Sequence, residues 1–141
     1  MPIRPIEDTP MKDTFQPGVS VSMEAQVSAD MLPVLNGEQV FPVVSTAELV
    51  RLMELASRKL IQPYLNEDEE ALGVQISVEH LATCGEGKTL STTAELIEFR
   101  HQRARIDVAV FDGERLIATG VHIHKVMSKD RVLHALQAGQ T

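Results

Sequence analysis

Three side chains in this sequence have the types and settings to do acid–base chemistry. Glu54 stands among Leu52, Met53, Leu55 and Ala56. A carboxylate truly enclosed by aliphatic neighbours needs a partner or a raised pKa, and either consequence suits a general base or a nucleophile. The alternative places it on a narrow solvated side with Arg51 and Arg58, where Arg58 is four residues on, a favourable pairing. His80 ends an alternation of Val74, Ile76 and Val78. It is either a hydrogen-bonded structural histidine or a proton carrier that titrates near neutrality. Thr46 adjoins Ser45, so its hydroxyl either caps a helix or positions a reactant. On one straight helix, the eight residues from Thr46 to Glu54 span about 12 Å of rise, and the two cannot touch. One reaction can use both only if Thr46 hangs from the preceding irregular segment, if the substrate spans the gap, or if the groups meet across a dimer.

Other candidates are weaker. His122 and His124 fall on one strand face, a spacing that can hold a metal, but a third ligand would have to come from His80, and no motif names one. No metal is expected. One of the pair is expected to line a pocket or subunit contact and the other to be solvated; His101 and His134 read as surface. Cys84 lies in a turn-like stretch with no marked base. As the single cysteine it excludes an internal disulfide and fits a reducing cytoplasm. Gly85-Glu86-Gly87-Lys88-Thr89 resembles a phosphate loop, but Ala82 stands where the first glycine is needed and no helix follows. It reads as a hairpin turn.

The elements that must position these groups follow from pattern. The chain has 141 residues, 43% hydrophobic, enough for one compact domain with an aliphatic core. Residues 1–17 are a proline-punctuated N-terminal arm, and 18–141 form the single domain. Val19, Val21, Met23, Ala25 and Val27 alternate as a half-buried strand. After an irregular stretch with a short helix or turn at 29–35 and a turn at Asn36-Gly37, Ser45 and Glu48 form a capping box. Leu49, Leu52, Met53, Ala56 and Leu60 then make a long helix, apolar around much of its girth and so read as largely enclosed, ending at Pro63. Residues 66–70 read as a solvated acidic loop. Strands follow with faces Val74/Ile76/Val78/His80, Leu90/Thr92/Ala94/Leu96 and Ile106/Val108/Val110. An Asp112-Gly113 hairpin leads into a last strand that looks buried on both sides. A short helix from Ser128 carries Val132, Leu133 and Leu136. The order predicts an α+β fold: a long helix wrapped by a curved antiparallel sheet of about five strands, its leftover apolar surface covered by a second copy.

Charge sets the partners. Thirteen basic and 20 acidic residues give −7, with no basic stripe, so nucleic acid is not expected. Met1 to Gly18 has no apolar core of a signal peptide, and no run is long enough for a membrane helix. A cytoplasmic location is expected.

The stretch Ser45-Thr46-Ala47-Glu48-Leu49-Val50-Arg51-Leu52-Met53-Glu54, with Leu72-Gly73-Val74-Gln75-Ile76-Ser77-Val78-Glu79-His80, resembles the fluoroacetyl-CoA thioesterase branch of the hotdog-fold thioesterases. The likeness runs over about residues 15–127, through Tyr64-Leu65, Ala94-Glu95-Leu96 and Gly120-Val121-His122. In that family a threonine, a glutamate eight residues later and a histidine twenty-six beyond it form the catalytic set, which falls here on Thr46, Glu54 and His80. The resemblance implies the hotdog fold, a homodimer with a continuous sheet, and acyl-CoA sites at the interface. Two features depart from it. A lid before the threonine carries two phenylalanines in the fluoroacetyl-specific enzyme, where this chain has Gly37 and Val40 with Phe41 adjacent, and His124 replaces an arginine.

The expected activity is hydrolysis of a small or medium acyl-CoA to a carboxylate and free CoA, with no cofactor beyond the coenzyme A of the substrate. Glu54 would activate water or attack directly, His80 would transfer protons, and Thr46 would position water or substrate. Gly73, Val40, Phe41 and His122 are the expected substrate-binding residues. The rivals are a non-catalytic binder of acyl thioesters or small hydrophobic acids, and a hotdog enoyl-CoA hydratase or dehydratase.

Overall fold

The computed structural model describes residues 11–139. Seven strands and two helices succeed one another: β1 (Ser20–Gln26), β2 (Val34–Leu35), β3 (Glu38–Gln39), α1 (Thr46–Ile61), β4 (Glu69–His80), β5 (Thr89–Arg100), β6 (Arg103–Asp112), β7 (Arg115–Ser128) and α2 (Lys129–Ala138). Five strands form one antiparallel sheet in the order β1-β5-β6-β7-β4, and β2 and β3 form a separate hairpin. A single long helix packed on such a sheet is the arrangement expected from the element order, and it agrees with the hotdog fold that the resemblance implies.

Helix α1 starts at Ser45, whose hydroxyl accepts the Glu48 N–H at 3.0 Å. The capping box is only half formed. The Ser45 N–H already donates to the Met31 carbonyl at 2.9 Å, and the Glu48 carboxylate turns to Arg51 instead. One face of α1, with Leu49, Leu52, Met53, Ala56, Ser57, Leu60 and Ile61, is fully buried against the sheet. The enclosed helix expected from its apolar girth is not seen in the single chain: the sheet covers one side only, and Arg51, Glu54 and Leu55 stay exposed.

The core-facing rows Leu90, Thr92, Ala94, Leu96 and Ile106, Val108, Val110 are buried as their alternation requires. In β4 the register shifts between Gly73 and Gln75. This bulge removes Val74 from the face it was expected to share with Ile76 and Val78, exposes it, and turns Gly73 toward the helix instead. On β7, Ile117, Ala118, His122, His124 and Val126 are buried, while Thr119, Val121 and Ile123 on the other face are only half-buried. The burial of β7 is thus one-sided. Helix α2 has no buried residue and leaves Leu133 and Leu136 exposed.

Two loops carry more structure than their composition suggested. Within the acidic segment, Glu69 is buried and accepts the N–H groups of Met11 and Asn66 at 3.0 and 2.7 Å. Met11 and Phe15, from the segment read as an arm, pack into the core, with Phe15 against Tyr64 and Phe99. Residues 1–10 of that arm lie outside the described residues. No helix among those described is long and apolar enough to cross a membrane.

Gly120 sits where α1 crosses β7. A Cβ there would meet the Ser77 carbonyl oxygen at 2.5 Å and Met53 Sδ at 3.3 Å. Backbone cannot yield cheaply, so Gly120→Ala is expected to cost about 1–3 kcal/mol, read as a lowered urea midpoint with an unchanged m-value.

Candidate active site

Helix α1 and strand β4 run in opposite directions, so the start of the helix meets the end of the strand. There Thr46 Oγ1 and His80 Nδ1 lie 2.9 Å apart in a hydrogen bond. The contact settles one of the open readings: Ser45 is the cap, which leaves the Thr46 hydroxyl free for His80. The other imidazole nitrogen of His80, Nε2, is buried without a hydrogen-bond partner among the described residues.

Two turns along α1, Glu54 faces Gly73, nearer the start of β4. Its side chain is 59% exposed in the single chain, as the solvated-side reading expects. The ion pair that reading implied does not form. Arg58 binds Glu70 at 2.5 Å, which holds the Glu70 carboxyl below its usual range, chiefly through that hydrogen bond. Glu54 Oε1 instead stands 3.9 Å from His122 Nε2. Gly73 lies beneath both: a Cβ on it would fall 2.9 Å from His122 Nε2 and 3.2 Å from Glu54 Oε1. A cleft of about 260 Å³ opens here, lined by Arg51, Glu54, Leu55, Arg58, Gly73 and His124 among others. A larger concavity of about 760 Å³ lies on the outer sheet face, among Ser77, Glu79, Thr93 and Asp107, away from these groups.

The chain therefore carries two half-sites, Thr46 with His80 and Glu54 with Gly73 and His122, about 12 Å apart along the helix. It does not join all three expected catalytic residues within one protomer. Val40 and Phe41 follow the β2–β3 hairpin and are exposed, in neither half-site. Positive φ at Asn36 and Gly37 gives this hairpin the tight turn that the Asn-Gly pair favours.

The solvated histidine expected of the His122/His124 pair is not found. Both are buried, at 2% and 4% exposure, because β7 is a central strand under α1. His124 Nε2 is 3.1 Å from His122 Nδ1, which is also 3.2 Å from Ser57 Oγ. Burial pushes His122 down, against a smaller upward pull from Glu54. Burial, then His122, then Arg58 push His124 down to about 4. Ser57 and His124 were not anticipated as neighbours of the site; the signal was a serine on the buried stripe of α1, three residues after Glu54. Cys84 is buried and its thiol is pushed up, first by desolvation and then by Asp112, which suits a structural rather than a nucleophilic cysteine. No group of three or more His, Cys, Asp or Glu that could hold a metal occurs among the described residues.

Comparison with known proteins points the same way. The model of the fluoroacetyl-CoA-specific thioesterase family matches residues 21–130. The fluoroacetyl-CoA thioesterase of Streptantibioticus cattleyicolor is 36% identical over 92 residues, 64% of this chain and 66% of its own length. A Thermus thermophilus hypothetical protein described as a thioesterase superfamily member superposes with a TM-score of 0.84 at 26% identity, covering 98% of this chain and 96% of that one. A point variant of the fluoroacetyl-CoA-specific thioesterase, in complex with fluoroacetate and CoA, superposes with a TM-score of 0.76 at 28% identity, over 84% of this chain and 99% of that one.

The buried His124 makes stability pH-dependent. Its folded pKa of about 4 lies below the ordinary 6.5, so between these values the unfolded chain binds more protons and stability falls as pH drops. A loss on the order of 2 kcal/mol by pH 4 is expected from urea titrations, attenuated in His124→Gln, which cannot take up the proton.

Proposed function

Because this chain belongs to the fluoroacetyl-CoA-specific thioesterase family, we propose that it hydrolyses the thioester of a small or medium acyl-CoA to a carboxylate and free CoA. The carrying observation is the setting of Glu54. Glu70 occupies Arg58, so Glu54 stands without that counter-ion at the mouth of a cleft, over a residue with no side chain. A carboxylate so placed can take a proton from water while the water oxygen bonds to the thioester carbon. The electron pair of the carbonyl moves to oxygen and returns as the C–S bond breaks, and the thiolate leaves to be protonated. His80, aligned by Thr46, is the proposed source of that proton. Water is the only co-reactant, coenzyme A enters as part of the substrate, and no cofactor is required. Membership of this family leaves the binder and hydratase readings unsupported.

The complete site is proposed to form in a homodimer across β4. Among the described residues that strand has no neighbour on its outer side, and Leu55, Leu72 and Val74 there are exposed apolar groups. A two-fold axis there runs two β4 strands antiparallel, bringing the Gly73 end of one toward the His80 end of the other. Glu54 of one protomer then approaches the Thr46–His80 pair of the opposite protomer, and the 12 Å gap within a chain ceases to matter. Gly73 and His122 form the proposed wall at the thioester, while Val40 and Phe41, exposed just before Thr46, supply the apolar cover for the acyl group. Without a matched pair of lid phenylalanines, an acyl group other than fluoroacetyl is proposed. The single thiol fits a reducing, cytoplasmic setting.

Two measurements test this. Thiol release from acetyl-, butyryl-, isobutyryl-, benzoyl- and fluoroacetyl-CoA should identify a substrate, and Glu54→Gln should slow its hydrolysis by about 10²–10⁴-fold. An unchanged rate overturns the role of Glu54. Sedimentation equilibrium should give twice the chain mass of 15.5 kDa. Val74→Glu, at the exposed strand edge, should shift the protein to monomer and abolish turnover; an active monomer overturns the interfacial site.

A further inference from the structure

The two buried histidines of β7 carry information about where their protons sit. His124 Nε2 and His122 Nδ1 are 3.1 Å apart, so one holds a hydrogen and the other a lone pair. Burial keeps both rings neutral at pH 7, leaving one proton on each. Two arrangements remain. If His122 donated from Nδ1, His124 would carry its proton on Nδ1, a buried atom with no hydrogen-bond partner. The lone pair of His122 Nε2 would then face the Glu54 carboxylate. The second feature is unfavourable, and it is the one that discriminates, because among the described residues His124 Nδ1 is buried without a partner in either arrangement, as a donor here and as an acceptor in the other. If His124 donates from Nε2, its Nδ1 is left with a lone pair, and His122 presents an N–H toward Glu54. The Glu54 end thus chooses the second arrangement, while Ser57 Oγ, 3.2 Å from His122 Nδ1, can accept or donate and does not decide between the two.

We propose that His124 is a positioning residue: by donating to His122 Nδ1 it holds His122 as the Nε2–H tautomer, and that N–H, with Glu54 Oε1, grips the water that attacks the thioester. The inference rests on the hydrolytic reading and specifies its reagent site. The 3.9 Å between His122 Nε2 and Glu54 Oε1 is too long for a direct hydrogen bond. One oxygen placed about 2.8 Å from each can bond to both. Such a water accepts from His122 and donates to Glu54, so its remaining lone pair is directed by two fixed contacts. A thioester carbonyl oxygen suits the place poorly, because it has no hydrogen to give to the carboxylate. Gly73 keeps the place open, since its Cβ would fall within 2.9 Å of one group and 3.2 Å of the other. In the step itself, the water oxygen bonds to the acyl carbon and its proton passes to Glu54. His122 keeps its own proton throughout, as a neutral donor should.

Long-range proton–nitrogen correlation spectra of histidine-labelled protein at pH 7.5 read the tautomers directly, without substrate. Both His122 and His124 should be Nε2–H. His124→Gln places an amide N–H near the same point, whereas His124→Leu removes the donor. With the best substrate of the acyl-CoA panel, His124→Leu should lower kcat about tenfold, leave KM within about twofold, and shift His122 toward the Nδ1–H form, which can donate to Ser57. His124→Gln should retain most of the kcat and the Nε2–H tautomer. A wild-type His122 in the Nδ1–H form overturns the proposal even if the leucine variant fails to fold. So does an unchanged kcat in a folded His124→Leu, or an equal loss in both variants, which would mark a packing role. Absence of turnover by the wild type with every panel member overturns the hydrolytic reading and the water's role with it, while the tautomer spectra judge the imidazole pair separately.

Discussion

The close approach of α1 to β4 and β7 governs where every reactive group stands. It is possible only because the sheet lacks side chains at two points beneath the helix. At Gly120, Met53 from the helix and the Ser77 carbonyl from the neighbouring strand β4 fill the space a methyl group would need. At Gly73 the same proximity brings Glu54 and His122 to opposite rims of one gap. The two glycines thus do different work, one fixing the distance of helix from sheet and the other leaving space for chemistry. The β4 bulge links them: without the register shift between Gly73 and Gln75, Val74 would point at the helix and its side chain would fill the gap.

Much of this was legible in the sequence because it is local. The Ser45 cap, the apolar stripe of α1, the alternating rows of β5 and β6 and the Asp112-Gly113 turn all rest on residues close in the chain. What pattern could not resolve depends on competition between distant partners. Glu54 and Arg58 have ideal helical spacing, but Glu70 from β4 takes the guanidinium. His122 and His124 look like a half-solvated pair until the strand order places β7 inside the sheet under the helix. The β5–β6 turn was not read because its two positive-φ residues are His101 and Gln102, without the glycine or asparagine that normally marks such a turn. Glu69 sits in a run of acids whose composition says solvent, yet it satisfies two backbone N–H groups and so belongs inside.

The candidate catalytic residues show the same division. The sequence positions of Thr46, Glu54 and His80 were readable, and their separation by helical rise already implied that one straight helix could not unite them. The antiparallel course of α1 and β4 explains why Thr46 and His80 meet: one opens its helix and the other closes its strand. It also explains why Glu54, half-way along α1, lies over Gly73, nearer the start of β4. Half-sites spaced along one edge strand are what a two-fold symmetric site needs, because the symmetry reverses the strand and brings unlike positions together.

The setting of Glu54 follows from the partners its neighbours take. A carboxylate paired with arginine is held as a weak base, which is the fate of Glu70. Had Arg58 turned to Glu54, the same penalty would fall on the group proposed to accept a proton. The imidazoles beneath offer hydrogen-bonding capacity without a fixed cation, since burial under α1 disfavours their charged forms. A protonated His122 beside Glu54 would attract the carboxylate and stabilise its ionised form against protonation. A neutral His122 can instead present a donor to a bridging oxygen and leave the carboxylate able to take the proton. The core under the helix therefore contributes more than packing: its low polarity disfavours charge on the histidines, so no buried cation stands beneath the proposed proton acceptor.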